Sequence, residues 1–591
     1  MENAAVGLSR TWDIVVLIAY LLGTLALGVW CSLRIKNTEG YFLGGRQLPG
    51  WAIGISILAA AISSITFLAY PGSAYEGNFS RVVPGLAFPA GAIIAIFIFV
   101  PFYRRVGFIS AYTYFERRFG LWGRIYVCIL FVLGQIWRVG LILYLLSLPL
   151  TMMFPQFDKV PLIIGIGVFV AFYTVIGGLE AVIWTDVFQT FVLFLGGLAV
   201  VLIVFLNVDG GALTVFSMGM ANGKFSLFGQ NVASMFDFSL AKDTLLMLLI
   251  IGTIGSTQEF ALDQNKIQRY CSTPTTRAAR NATWTGTAGC IPAWLLFMFV
   301  GTCLWVFYQA HPERLPREML ADEIFPYFIL NEMPQGFGGL VIAGLLAAAM
   351  STLTSCISAM SLVTTEDIYK RLLAPGRDDN HYLKAAKVIS TLSGISMIVV
   401  ALGLTKLRQE TILEMAFIVG AMLGGGIGGL FFIGFCSRRA NSFGGAVGIV
   451  LAVVATFGMT YIEAKAMSWD SDVEWMISDA VKSGEVNSDT IQAEIRAKAE
   501  AEGVKMKLAD VRKAEKERIR EILAERIQTN LGPKPPHLGE AIGIHPFMMA
   551  VAVNLIACVI GFLFSFFRPA PREEQLAGLT WWTRHAKQIE T

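Results

Sequence analysis

The chain has 591 residues, of which 55% are hydrophobic and only 15% are charged. A soluble protein carries about a quarter charged residues, so the composition excludes an ordinary soluble domain. Apolar runs of about 20 residues recur along most of the sequence and predict a polytopic α-helical protein embedded in a lipid bilayer. The net charge of +3 says little by itself, and we expect no nucleic acid partner.

The first apolar run, residues 12–33, lacks the basic segment and small-residue cleavage site of a signal peptide, so we expect a retained span. Several of the predicted spans exceed 25 residues, which indicates tilt or kinks. The apolar runs predict thirteen spans: 12–33, 48–72, 82–103, 122–152, 160–177, 181–206, 241–262, 281–308, 325–363, 382–404, 411–436, 440–463 and 544–567.

Lys and Arg concentrate in alternate loops, as in the pairs Arg104–Arg105 and Arg277–Arg280. The positive-inside rule therefore places the N-terminus outside and the C-terminus in the cytoplasm, in a multi-pass protein of the cell membrane. Residues 464–543 interrupt the apolar pattern with a segment rich in Ala, Glu, Lys and Arg that ends in GPKPP. We expect an extracellular or periplasmic helical hairpin, which is either simply solvated, a docking module for a protein partner, or a lid over the outer mouth.

The eight cysteines fall in apolar runs or in loops predicted to lie inside, and no CxxC occurs, so we expect no disulfide and no metal site built on cysteine. No nucleophile–base pair or metal-ligand cluster is evident, so we do not expect an enzyme.

Two predicted spans carry interruptions. Span 2 contains Ser63, Ser64 and Thr66 and then Pro71-Gly72, which predicts an unwound point, the alternative being an ordinary kink. Span 7 has a polar middle over residues 252–259 and predicts a second discontinuous helix. Broken helices at matching positions of two halves are typical of secondary transporters built from inverted repeats.

On this basis, residues 48–206 form a first repeat and 207–436 a second. Residues 1–47 add an N-terminal span, 437–463 a further span, and 544–591 the last span with a cytoplasmic tail.

Ionisable groups inside spans are costly and are functional candidates. Asp186 lies near the start of span 6, as either a functional carboxylate or an interfacial one favoured by the helix dipole. Arg138 lies mid-span, where it needs a carboxylate, carbonyls or a bound anion as a partner. Glu259 in span 7 is the other ionisable group expected at the depth of Arg138.

Four stretches resemble the sodium:solute symporter family. They are YFLGGRQLPGWAIGISILAAAIS, GGLEAVIWTDVFQT, DQNKIQRY and AAAMSTLTSCISAMSLVTTEDIYKR. The resemblance covers roughly residues 12–460 and the last span, and the chain looks most like the bacterial sialic acid symporters. It implies a LeuT-type core of two inverted five-helix repeats and sodium as the coupling ion.

The resemblance also implies positions for sodium. A principal site would use the carbonyls of Ala59, Ile62 and Ala348 with the hydroxyls of Ser351 and Thr352. Such neutral oxygens suit a hard cation that must also be released. A second sodium site, present in some members, would use Asp186, Ser351, Thr354 and Ser355, although Asp186 could instead only organise the gate.

For substrate, the resemblance implies Ser63, Thr66 and Arg138, with Ser256 and Glu259 added by analogy with sugar transporters. Arg138 would take a carboxylate bidentately. Glu259 would either neutralise Arg138 in the empty state or bind sugar hydroxyls. The segment VVPGLAFPAG lacks the pocket glutamine that sialic acid transporters have in span 3.

The sequence thus predicts a sodium-coupled importer of a small organic anion or acidic sugar that works by alternating access. A neutral sugar or polyol is the alternative substrate. The alternative from another class is a transporter-like sensor or interaction protein, although only about 24 residues follow the last span and no signalling domain is evident.

Overall fold

A computed structural model describes residues 10–154, 156–227, 245–316, 319, 321–407, 419–420, 422–501, 508–542 and 548–583. All regular elements within these residues are helical, as the composition predicts. The chain divides into two compact units, one of residues 1–406, 423–452 and 550–591, and one of residues 407–422 and 453–549.

The first part of the chain, as far as residue 221, folds into helices separated by short 3₁₀ and π turns. In chain order they are α1 Thr11–Ser32, α2 Thr38–Leu43, α3 Gly50–Ala61, α4 Ser64–Glu76, α5 Val83–Leu86, α6 Phe88–Ile94, α7 Val100–Val106, α8 Thr113–Phe119, α9 Leu121–Met153, α10 Lys159–Asn207 and α11 Gly211–Ala221.

The remaining described elements run from residue 245 to residue 576. They are α12 Leu245–Leu262, α13 Gln264–Cys271, α14 Thr276–Ala310, α15 Ala321–Asn331, α16 Phe337–Val363, α17 Asp379–Leu404, α18 Ile427–Cys436, α19 Ser442–Lys482, α20 Ser488–Ala501, α21 Leu508–Ile522, α22 Ala524–Leu531, α23 Leu538–Ile542, α24 Met549–Phe564 and α25 Glu573–Leu576.

Helix α10 contains the boundary between predicted spans 5 and 6. The chain turns at Gly178, which has φ +53° and ψ −155°. A Cβ atom there would lie 2.7 Å from the carbonyl oxygen of Tyr41, so both the backbone conformation and the close approach require glycine.

Span 2 is interrupted at the serines that the sequence analysis marked, although not at its proline, and span 7 is not interrupted in its polar middle. Pro71 is inside α4, and the unwound point is nine residues earlier, at Ile62 and Ser63. In span 7 the polar middle is helical, and the break falls at Asp263, whose carboxylate caps the next helix by accepting from the amide of Asn265 at 2.8 Å. The break at Asp263 is supported by this local cap, whereas the carbonyl of Ala59 at the break in span 2 accepts from Ser351, which is distant in sequence.

Three predicted spans lie partly outside the described residues: the start of span 7, most of the first half of span 11, and the start of span 13. Residues 502–507 and 543 of the charged insertion also lie outside them. Helix α16 is the most enclosed long element, since all its residues except Phe337 and Leu340 are buried. The hydroxyls in its middle turns therefore face protein rather than lipid; they belong to Ser351, Thr352, Thr354, Ser355 and Ser358.

The charged insertion is helical, as predicted. Its helices surround a small apolar cluster of their own, formed by Val473, Met476, Ile477, Ala480, Val486, Ile491, Ile519, Leu523 and Ile527. Where the Pro-rich segment ends, His537 lies 3.1 Å from Glu463 and 2.8 Å from Asp470. Burial disfavours the charged imidazole, but hydrogen bonds and charge from these two carboxylates outweigh it and raise the pKa of His537 above 6.5.

We expect the stabilisation by protonated His537 to be complete below about pH 6.5 and to be lost as the pH rises through its raised pKa. In wild-type protein, hydrogen-exchange protection of residues 508–531 should exceed that of His537→Gln at about pH 6, and the difference should shrink at about pH 9. His381→Gln, which removes a histidine bonded to Tyr369 in the other unit, should leave this segment unchanged. A difference that does not vary with pH would contradict the assignment.

Candidate sodium and substrate sites

The first site is built on the break between α3 and α4. Ile62 and Ser63 are extended, and the two helices meet at an angle of 58°. A helix that ends leaves its last carbonyls without intrahelical partners. The oxygens of Ala59 and Ile62 thus become available inside the bundle.

Hydroxyls of α16 face these carbonyls. Ser351 Oγ lies 3.2 Å from the carbonyl oxygen of Ala59 and 3.1 Å from that of Ala348, and Thr352 Oγ1 lies 3.4 Å from the latter. All of these residues are buried. Four of the five residues predicted for the principal sodium site, Ala59, Ile62, Ala348 and Ser351, line one small cavity.

Helix α10 completes this cavity with two residues that the sequence reasoning missed, Gln189 and Thr190. The hydroxyl of Thr190 donates a hydrogen bond to the carbonyl oxygen of Asp186 at 2.7 Å. The amide of Gln189 is buried without a well-aligned hydrogen-bond partner among the described residues. In the sequence, Gln189 lies one helical turn after Asp186 in VIWTDVFQT, and this spacing could have indicated that both residues share a face of the helix. The cavity is therefore lined by neutral oxygens from three helices.

The model of the sodium:solute symporter family matches residues 41–452. The chain belongs to this family. It is a sodium-coupled transporter with a LeuT-type core, and the symporter binds sodium and a small-molecule substrate.

Similar proteins include the sodium/sialic acid symporter SiaT of Proteus mirabilis, 33% identical over 76% of this chain and 89% of that protein. NanT of Aliivibrio fischeri, also a sodium/sialic acid symporter, is 32% identical over 75% of this chain and 86% of its own length. A solved structure of a Na⁺-coupled sialic acid symporter, substrate-bound and outward-open, has a TM-score of 0.71 and 27% identity. It covers 95% of this chain and 99% of that one.

The residues predicted for a second sodium site surround a buried ion pair in the symporter. Asp186 lies 3.0 Å from the guanidinium of Arg269, and both side chains are almost fully buried. Ser56 donates to the same carboxylate, and Arg269 also donates to Ser355. Asp186 is thus a deeply buried carboxylate rather than an interfacial one. Sequence reasoning missed Arg269, although the motif DQNKIQRY contains it.

The other two residues of that predicted site lie on the same turns of α16. Thr354 donates to the carbonyl of Ser351 at 3.1 Å, and Ser355 donates to the same oxygen at 2.6 Å. One oxygen of Asp186 has no hydrogen-bond partner among the described residues. A cation there would have an unused carboxylate oxygen available, but it would also lie beside the positive charge of Arg269.

Arg138 lies on α9, which packs against α4 and α16. Its side chain is exposed although many protein atoms lie around it. No carboxylate of the described residues lies within ion-pair distance of it. Glu259, its expected partner, lies 3.4 Å from Lys266 instead.

The remaining predicted substrate residues are distributed over two helices. Ser63 directly precedes α4 and Thr66 lies in its first turn, and α4 packs against α9, the helix that carries Arg138. Ser256 donates to the carbonyl of Thr253 in its own helix at 3.1 Å, and α12 packs closely on Gly91 there. Its hydroxyl is thus already engaged in a helix–helix contact.

A polar network links α8, α9 and the π-helical continuation of α16, and sequence reasoning did not find it. Arg124 Nε donates to Asp367 at 2.7 Å and also pairs with Glu116, which Arg371 contacts at 2.7 Å. These residues lie on the side predicted to be cytoplasmic. The network ties together three helix ends at that face.

Replacing Ser351 by alanine removes one hydroxyl from the cavity. We expect the sodium concentration for half-maximal uptake to rise about tenfold, because one of a few neutral ligands is lost, with a smaller change in substrate KM at saturating sodium. Initial uptake rates in proteoliposomes at varied sodium test this. Ser358→Ala is the control. Its hydroxyl accepts from Gln268 at 3.2 Å, a contact the sequence did not predict. Equal sodium shifts in both variants would contradict the site.

Breaking the buried pair should be more damaging than removing it. Asp186→Asn and Arg269→Gln each leave a buried charge without its partner, and we expect each to cost about 3–5 kcal/mol of stability. The double variant should be more stable than the sum of the two losses predicts. Thermal unfolding of the purified variants measures this coupling, and strictly additive effects would show that the two groups do not interact.

Proposed function

We propose that this symporter imports a carboxylate-bearing sugar of the sialic acid type across the cell membrane, with its N-terminus outside. The single observation that supports an anionic substrate best is Arg138, a mid-helix cation whose side chain is accessible and has no anionic partner among the described residues. A planar guanidinium binds a carboxylate bidentately.

Similarity supports the same substrate class. Two of the most similar relatives are named as sodium/sialic acid symporters, and both align over about three quarters of this chain. The human sodium-coupled monocarboxylate transporter 1 is 27% identical over a similar share, and its name also implies an anionic substrate. The relatives thus agree with the chemistry of Arg138.

The neutral-sugar alternative is less well supported. It requires Glu259 to neutralise Arg138 or to bind sugar hydroxyls, whereas Glu259 lies 3.4 Å from Lys266. Lys266 is buried and also lies 3.4 Å from the carbonyl of Ile57 in α3. The carboxylate of Glu259 therefore compensates a lysine fixed against the broken helix, and Arg138 is left for the substrate.

We assign the principal sodium site to Ala59, Ile62, Ala348, Ser351 and Thr352. A cation there would draw the end of α3 and the middle of α16 onto one centre, and Ser63 and Thr66 of the substrate site begin only a few residues after Ile62. Sodium would thereby order the substrate site. By linkage, substrate would raise sodium affinity by the same factor.

A second sodium at Asp186, Ser351, Thr354 and Ser355 is a further part of the proposal. The carboxylate oxygen of Asp186 without a partner is its support. Arg269 would have to withdraw, or its repulsion would weaken that site relative to the principal one. We expect the second ion to bind more weakly.

Uptake into proteoliposomes tests the substrate assignment. Wild-type protein should accumulate labelled sialic acid when sodium is outside, and Arg138→Ala should raise substrate KM about ten- to hundredfold, because a charged bidentate contact is lost. Its sodium dependence at saturating substrate should be preserved.

Arg138→Lys, which keeps the charge but loses the planar fork, should fall between the two proteins. An unchanged KM in Arg138→Ala would contradict an anionic substrate. Uptake driven by a pH gradient without sodium would contradict sodium coupling, and no uptake of any sugar, uronate or monocarboxylate would favour the sensor alternative.

A further inference from the structure

An arginine-lined cleft opens between α7 and the start of α14, on the face that the positive-inside rule assigns to the cytoplasm. Its volume is about 590 Å³. The polar side chains that line it are Arg104, Arg105, Thr276, Arg277, Arg280 and Asn281. The described lining contains no acidic residue, so the cleft concentrates positive charge.

Hydrogen bonds from two of the arginines hold the walls of the cleft in place. Arg104 donates to the carbonyls of Cys271, Thr273 and Pro274 and so fixes the loop before α14 to α7. Arg280 donates to the carbonyl of Ile96 at 3.1 Å and holds the second turn of α14 to the membrane-spanning part of the chain. Main-chain carbonyls satisfy these guanidinium groups without neutralising them.

The start of α14 adds to the positive potential. Thr276, Arg277 and Arg280 occupy the first two turns of this 35-residue helix, where the unpaired amides and the dipole favour an anion. Arg277 is exposed, and no ion pair to a described residue engages it. Arg277 thus offers the cleft a guanidinium group whose charge is not neutralised by an ion pair to a described residue.

Apolar surface continues from the cleft toward the membrane. Trp284 lies one helical turn beyond Arg280 and is 45% exposed, and Phe97 follows Ile96, which Arg280 contacts, and is 70% exposed. Ile93, one turn before Phe97, is 45% exposed. Cationic donors at the membrane boundary, next to exposed aromatic and aliphatic groups, match a molecule with a phosphate head and apolar tails.

We propose that this cleft binds the phosphate of an anionic glycerophospholipid from the cytoplasmic leaflet, with the acyl chains lying along Ile93, Phe97 and Trp284. The site is separate from the sodium and substrate sites and does not depend on the identity of the transported solute. Free phosphate from the cytosol shares the head-group chemistry but would gain nothing from the apolar surface, so the two sources are separable by experiment.

Native mass spectrometry of the delipidated full-length protein tests this. We expect phosphatidylglycerol to bind wild-type protein in preference to phosphatidylcholine, and Arg277→Gln/Arg280→Gln to bind phosphatidylglycerol roughly tenfold more weakly. Arg277→Gln alone changes only an exposed side chain and should show a smaller loss in the same direction, which keeps the test valid if the double variant folds poorly.

The matched control is Arg377→Gln/Arg438→Gln. It removes two exposed charges from the same predicted face, outside the cleft. An equal loss of phosphatidylglycerol binding in this control would overturn the proposal, because it would show only a general charge effect. No loss in either cleft variant would also overturn it. Inorganic phosphate that raises the melting temperature as much as phosphatidylglycerol does would overturn the lipid assignment.

Discussion

A helix that unwinds inside a lipid bilayer exposes backbone carbonyls that only the protein or a bound ion can satisfy. In this symporter the unwound point at Ile62 and Ser63 faces the most enclosed helix of the chain, and Ser351 of that helix reaches the carbonyl of Ala59 at 3.2 Å. The same oxygens that stabilise the break by hydrogen bonds are the ones that we propose hold sodium, a hard cation, when the hydroxyl proton turns away. In that proposal the break is both a structural feature of the helix and the centre of the ion site.

The buried guanidinium of Arg269 links the helices around this break. It contacts Ser56 of α3, Asp186 of α10 and Ser355 of α16, the three helices that also line the cavity of the proposed sodium site. Gln189 and Thr190 follow Asp186 by about one turn, so the helix held by the ion pair also presents the cavity's third wall. Movement of any one of these helices would strain a buried charge contact as well as the ion site. We therefore expect the Asp186–Arg269 ion pair and the cavity lined by neutral oxygens to change together when these helices move.

The sequence was a good guide where composition and periodicity decide the outcome. The apolar runs predicted the all-helical membrane fold, and four of the five residues assigned to the principal sodium site line one small cavity, although sodium binding there stays a prediction. It was a poor guide where distant residues decide. Pro71 and the polar middle of span 7 are strong local signals for a break, yet both are helical. The true breaks are stabilised by tertiary contacts and by the cap of Asp263, and the pairing of Glu259 with Lys266 rather than Arg138 likewise depends on the fold alone.

Two of the carboxylates near the broken helix pair with Lys266 and Arg269, and neither pairs with Arg138. Lys266 has Glu259 at 3.4 Å and Arg269 has Asp186 at 3.0 Å, whereas Arg138 has no carboxylate of the described residues within that range. Asp263 and Glu259 act on it only at longer distance. A cation held among protein groups without a partner is costly, and the cost falls when an anion binds. A substrate carboxylate of the proposed kind would therefore bind where the described residues leave one charge uncompensated, on a helix that packs against α4.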